Sequence, residues 1–297
     1  MSIHTRKSGF DRVFDIANYT LMSLILLAII YPLYIVVISS FSDPDSVNTG
    51  SVWLFPKGIT FEGYHRIFME GNIWNGYKNT LIYTFLGTLL SVVLTLPGAY
   101  ALSRSDLMGR NFFMLMIVFT MFFGGGLIPT YLLVKNLGMT NTIWSQIVPG
   151  ALTAYNMIIT RTFFQSSIPK ELQESAEIDG SSITRFFLKI VLPLSMPIVA
   201  VMVLFNAVAH WNAYFQGLIY LRDERLYPLQ LVLREILIVN EAPAESTLGA
   251  SDDGSMLRIA EIMKYGTIIV SSLPVLVLYP FLQRYFVKGV MIGSIKG

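Results

Sequence analysis

The sequence predicts an all-α integral membrane protein of six transmembrane helices with both termini on the cytoplasmic side, and three observations predict it. The 297 residues are 54% hydrophobic and only 13% charged, where a soluble globular chain carries roughly a quarter charged residues. Six segments supply the run of about 20 mainly apolar residues that a helix needs to cross a bilayer: 18–39, 80–103, 112–134, 143–160, 191–221 and 267–283. With the N-terminus inside, twelve of the 21 Lys and Arg but only seven of the 19 Asp and Glu fall in the shorter, cytoplasmic segments, the sense of the positive-inside rule.

The first segment follows Arg6, Lys7 and Arg12. Its apolar run is too long for a signal-peptide core and no A-x-A-like site follows, so it reads as a retained span. The outer connection 41–79 carries turn chemistry in SDPDSVNTG and FPKG, with Trp53, Phe55 and Trp74 as candidate interfacial anchors. The second segment closes in LPGAYALSRSDLMGR. The third contains GGGLIPT at 124–130, which lacks the Lys-Ser/Thr of a phosphate-binding loop and reads as close helix packing or a local break. After the fourth comes the longest inner segment, 161–190. After the fifth comes the outer segment 222–266, in which YPLQLVLREILI reads as an amphipathic helix and NEAPAESTLGASDDGS as a mobile loop.

Several classes of chemistry are excluded. The chain has no cysteine, so there is no disulfide framework, thiolate chemistry or Cys-based metal site. Its net charge of +2 gives no basis for nucleic-acid binding. His4, His65 and His210 are scattered, with no metal-ligand or nucleophile–base spacing, so no catalytic residue and no metal site are assigned. Within the six segments His210 is the one side chain among Asp, Glu, Lys, Arg and His, thin material for a proton or sodium relay. Uphill movement would need energy from another polypeptide.

The inner segment holds an acidic island, ELQESAEIDG at 171–180. Ser167 is a candidate N-cap, Pro169 sits in the first turn, acidic residues follow early, and Gly180 is the stop. Ser181 or Ser182 can cap a second helix in which Ile183, Phe186, Phe187 and Ile190 recur at helical spacing. Pro193 and Pro197 then fit a break before the fifth span. As local structure this is a helix-turn-helix elbow standing off the membrane, or an amphipathic hairpin lying on the lipid surface.

The spacing of Glu174, Ala176, Gly180, Ile190, Leu192 and Pro193 follows E-x-A-x3-G-x9-I-x-L-P. It resembles the EAA loop of ABC importer permeases, with Ser175 where the second position is usually Ala. YKNTLIYT, LPGAYALSRSDLMGR, MFFGGGLIPTYLLVKNLGMTNT and the tail YPFLQRYFVKGVMIGSIKG extend the resemblance to the carbohydrate-uptake class. More narrowly, the chain is similar to the oligosaccharide and polysaccharide importers of the LplC/YtcP type, which includes one permease of the alginate importer.

That resemblance implies a cytoplasmic N-terminus at 1–17 and a single transmembrane domain at 18–297, in a multi-pass protein of the bacterial inner membrane. It also implies a coupling helix within 169–193 that docks on a separate ATPase through Glu174, Ser175, Ala176, Asp179, Gly180, Phe186, Phe187, Ile190, Leu192 and Pro193. The implied partners are a second, related permease, two copies of the ATPase, which bind the ATP and Mg, an extracytoplasmic solute-binding protein, and a saccharide. This chain itself holds no cofactor.

Sugar recognition needs hydroxyl-matching amides and stacking rings, and NAVAHWNAYFQGLIY in the fifth segment offers Asn206, His210, Trp211, Asn212, Tyr214, Phe215 and Gln216. Asn156 and Tyr131 are further candidates for the substrate path. Interfacial anchoring for the aromatics and helix–helix hydrogen bonding for the amides are the competing readings. At the level of function, an ion-coupled sugar carrier and a membrane scaffold or sensor with a docking elbow remain as alternatives.

Overall fold

The computed structural model describes residues 9–239, 263–277 and 280, and every regular element among them is helical. The chain divides into two compact units, Met1–Met69 with Ile236–Ser271 and Glu70–Glu235 with Ser272–Gly297.

In the first unit, α1 (Gly9–Ser39) begins nine residues before the predicted span and buries only Ile38 and Ser39. A helix apolar on all sides and bare on nearly all of them is suited to a lipid solvent. The chain then folds back on itself. The side chain of Asp43 caps α2 (Pro44–Asn48) at Ser46 N, Asp43 N donates to Lys57 O at 2.9 Å and Thr60 N to Phe41 O at 2.9 Å. Phe41 stacks on Tyr64 of α3 (Glu62–Met69) with ring centroids 5.2 Å apart, and the Tyr64 hydroxyl donates to Ser40 Oγ at 2.8 Å. Trp53 and Phe55 are exposed.

The second unit is organised around α4 (Gly71–Ser103), a continuous helix that passes through Pro97. Small residues at helical spacing, among them Thr80, Gly87, Thr88, Ser91, Thr95 and Ala99, make its buried face, and small side chains let helices approach closely where no hydrophobic drive operates between them. Two helices follow, α5 (Arg110–Phe122) and α6 (Leu127–Asn136), bent 115° from each other. Gly126 at the joint has φ +83° and ψ 178°, backbone that only glycine adopts without strain. The predicted third span is therefore two helices, and the glycine run is its break.

The fourth predicted span is also broken: α7 (Trp144–Ile147) is separated from α8 (Ala154–Ser167) by a turn with Gly150 at φ +85°. Thr153 caps α8, accepting from Asn156 N at 3.3 Å. Next come α9 (Lys170–Ile178), α10 (Ile183–Phe186), one π-helical turn at Phe187–Val191 and α11 (Leu192–Leu194). The chain then turns by 82° across Ser195 into α12 (Met196–Trp211), with Pro193 and Pro197 on either side of the bend. A shorter helix, α13 (Phe215–Tyr220), and a 3-10 turn at Glu224–Leu226 lead into α14 (Leu229–Val239), and α15 (Met263–Val277) is the last described helix.

The start of α14 is fastened to α4. Leu229 N donates to Thr80 Oγ1 at 2.8 Å, Asn79 Nδ2 to the carbonyls of Arg225 and Tyr227 at 2.7 and 3.0 Å, and the Tyr83 hydroxyl to Leu226 O at 2.8 Å. Irregular backbone buried against a helix needs such partners, because an unpaired buried group costs about 1–3 kcal/mol. By length and composition α1 and α4 are each able to cross a membrane, and the bent α5/α6 and α10–α11/α12 pairs are long and apolar enough when each is taken together, as a broken span or a re-entrant loop. The predicted loop after 240, the end of the sixth predicted segment and nearly all of the C-terminal motif lie outside the described residues.

Candidate functional sites: a docking elbow and a polar cavity

The acidic island folds as the two-helix elbow its sequence predicts, with one difference at its start. Ser167 is the last residue of α8, and Pro169 occupies the N-cap of α9 without a side-chain hydrogen bond. The end of α9 is a Schellman turn: Gly180 N donates to Glu177 O at 3.0 Å and Ser181 N to Ala176 O at 2.9 Å, with Gly180 at φ +69°. Ser182 caps α10, accepting from Arg185 N at 3.3 Å. Apart from the two adjacent residues, nothing lies within 4 Å of where a Gly180 Cβ would be, so the bend is open to an approaching surface.

The elbow has two faces. Its inner face, Ala176, Phe186, Phe187 and Val191, joins one buried cluster with Tyr100, Leu102, Met157, Phe164 and Met202. The Phe187 ring lies 5.1 Å from Tyr100, which meets Phe164 edge-on at 5.9 Å. Each buried Phe contributes about 1.5–3 kcal/mol. This corrects one expectation: Phe186 and Phe187 are 3% and 8% exposed in the chain's own core and cannot fill pockets on another protein. The outer face carries Glu174, Ser175, Asp179, Gly180 and Pro193, all exposed, while Ile190 and Leu192 pack partly against the core. Ile178, 87% exposed, was missed by sequence reasoning, and Ile183, read as part of the apolar stripe with Phe186 and Phe187, is 57% exposed. Their signal was an isoleucine on either side of the Gly-Ser-Ser turn.

A second feature of the elbow was also missed. Arg104, just past α4, donates to Asp106 through Nε at 2.9 Å and Nη2 at 2.5 Å, and its Nη2 reaches Glu177 of α9 at 3.5 Å. The hydrogen bonds between them hold the Asp106 carboxyl below, and the Arg104 guanidinium above, its ordinary pKa, so both stay charged across the physiological range.

The substrate-path candidates converge in part. Asn156 from α8, Asn206 and His210 from α12, and Asn212 and Tyr214 just beyond it line one cavity of about 610 Å³. Phe215 and Gln216 from the same stretch line it too, as do Tyr155 and Phe205, which were not singled out; rings at membrane depth look like lipid-facing anchors in a sequence. Asn206 is fixed at both ends: Nδ2 donates to Met202 O at 2.8 Å, and Oδ1 accepts from Asn156 Nδ2 at 3.5 Å. The lining thus mixes side-chain amides with aromatic faces, the chemistry that meets hydroxyls and the apolar faces of sugar rings.

Two candidates lie elsewhere. Trp211 is buried, its ring 6.1 Å from Tyr77, and it lines a separate apolar cavity with Phe85 and Thr88. Tyr131 stacks parallel to Tyr220 at 6.0 Å. One residue of helix turns a side chain by about 100°, so Trp211 and His210 face different neighbours.

Residues 67–292 match the family described as Binding-protein-dependent transport system inner membrane component. The polygalacturonan/rhamnogalacturonan transport system permease protein YtcP of Bacillus subtilis strain 168 is 39% identical over 97% of this chain and 99% of its own. Protein LplC of the same strain is 37% identical over 100% of this chain and 98% of its own. Among solved structures, a chain of a bacterial ABC transporter involved in the import of the acidic polysaccharide alginate superposes with TM-score 0.85. It is 33% identical, over 95% of this chain and 99% of that one.

Proposed function

Because the chain belongs to the family of binding-protein-dependent transport system inner membrane components, we propose that it is a permease subunit of an ATP-binding-cassette importer of oligo- or polysaccharides. It forms half of the translocation pathway, with six spans and both termini in the cytoplasm. A second, related permease supplies the other half, two copies of an ATPase bind ATP and Mg, and an extracytoplasmic protein delivers the saccharide. The 37–39% identity to the two Bacillus subtilis relatives over almost the whole chain supports the transport class. The name of YtcP and the alginate importer support the saccharide.

The observation that carries the mechanism is the two-faced elbow. A segment with its inner face in the core and an outer face of Glu174, Asp179, Ile178 and an unobstructed glycine bend receives force as a rigid lever. The ATPase groove takes Ile178 and Ile183 as apolar anchors and the two carboxylates as partners for basic groups. Closure of the ATPase pair then rocks the helices that bear the elbow, and the cavity of Asn156, Asn206 and His210 changes the side to which it opens.

The test uses vesicles holding this chain, its second permease and its ATPase, with binding protein and saccharide supplied. Saccharide-stimulated ATP hydrolysis and uptake are expected in the wild type. Gly180→Trp, which places bulk on the open bend and strains a left-handed backbone, is expected to abolish both while the chain still inserts. Full stimulation and uptake in Gly180→Trp would refute the lever.

A further inference from the structure

The elbow has three mechanical routes into the membrane: back along the chain into α8 through Ile168 and Pro169, onward into α12, and across space to α4. Along the chain it continues into α12, but only through a π turn and the 82° bend at Ser195, features at which helices flex. Across space it meets the end of α4, which stays one continuous helix through Pro97 from Ser103 back to Gly87, about 24 Å away at 1.5 Å per residue. At Gly87 that helix touches the ring of His210, which lines the polar cavity.

The joint between elbow and α4 is built from several directions. Arg161 Nε of α8 donates to Leu102 O at 3.0 Å, and Phe187 packs on Tyr100 at 5.1 Å. Arg104 gathers the rest: Asp106 at 2.5 Å, Glu177 of α9 at 3.5 Å and the Tyr100 hydroxyl at 3.4 Å. Its carbonyl accepts from Arg110 Nη1 of α5 at 3.2 Å. The Arg104 side chain is only 9% exposed although its two acidic partners are more than half exposed. A planar guanidinium satisfied on several edges fixes geometry as a lysine cannot.

We infer that Arg104 is a positioning residue that locks the elbow to the end of α4, so that α4 carries ATPase-driven motion to the cavity and α12 follows it. The inference rests on the proposed coupling role of the elbow and adds which helix is driven.

The chain has no cysteine, so paired spin labels can be placed directly, at Ser105→Cys beside Arg104 and at Lys170→Cys on α9. Their distance is measured in the assembled complex, nucleotide-free and ATP-trapped, beside the number of saccharides imported per ATP hydrolysed. The expected result is one unchanged distance in both states of the wild type, and a distance that shifts or broadens on trapping in Arg104→Gln. Imported saccharide per ATP is expected to fall about 2- to 10-fold in that variant and in Glu177→Gln, a change on the exposed surface that folding tolerates. A merely structural role would lower the amount of complex without changing that ratio.

A wild-type distance that changes between states, or an unchanged ratio in both variants, would overturn the inference with the elbow's coupling role intact. A wild-type complex lacking saccharide-stimulated hydrolysis would remove the permease reading beneath it.

Discussion

Gly87 and His210 show how much one side chain decides in this fold. A Cβ at position 87 would run into Cε1 and Nε2 of the imidazole, so α4 and α12 reach their packing distance because residue 87 has none. Gly87→Ala is expected to destabilise the purified complex by about 1–3 kcal/mol, the cost of overpacking. Adding His210→Ala should restore part of that loss by vacating the space. A thermal-unfolding double-mutant cycle measures it, and two losses that simply add would contradict the contact.

The amides and imidazole of the cavity were legible because polar groups in an apolar run demand partners. Tyr155 and Phe205 were not, since a ring at membrane depth has the same sequence signature on either face of a helix. Arg104 was hidden differently. Its partner Glu177 lies 73 positions away, and no local pattern marks that pairing.

Among the elements, α9, its glycine stop and α10 could be read in advance, because a Schellman turn and a serine cap are local chemistry. Ser182→Ala is expected to remove the α10 cap at a cost of about 0.5–2 kcal/mol. Ser181→Ala should cost much less, as Ser182 alone makes the capping bond to Arg185 N. Hydrogen exchange at Arg185 and Phe186 reads the difference, and equal effects of the two substitutions would contradict the assignment. The broken spans were harder to see. Hydropathy over 143–160 and 191–221 registers apolar residues and is blind to the positive φ at Gly150 and the bend at Ser195. The run of three glycines at 124–126, and Pro193 and Pro197 on either side of Ser195, gave visible signs of two of the breaks. The burial of Phe186 and Phe187 escaped prediction because their periodicity says that one face is covered, and not by which molecule.

At the scale of the molecule, the sequence motif and the fold converge on a permease whose elbow is built into the core. The all-helical class follows from apolar runs long enough to cross a bilayer as helices. The unit boundaries at 69/70 and 235/236 do not, because they depend on contacts between segments far apart in the chain. The central claim is that the elbow's outer face bears on an ATPase, and Ile178, 87% exposed beside the bend, reports it directly. With Ile178→Cys as the single thiol, a short bifunctional reagent in the working assembly is predicted to cross-link this chain to the ATPase subunit from the cytoplasmic side and to arrest uptake. A thiol that reacts only with reagent confined outside the membrane, or that never joins the ATPase while uptake proceeds, would contradict the account.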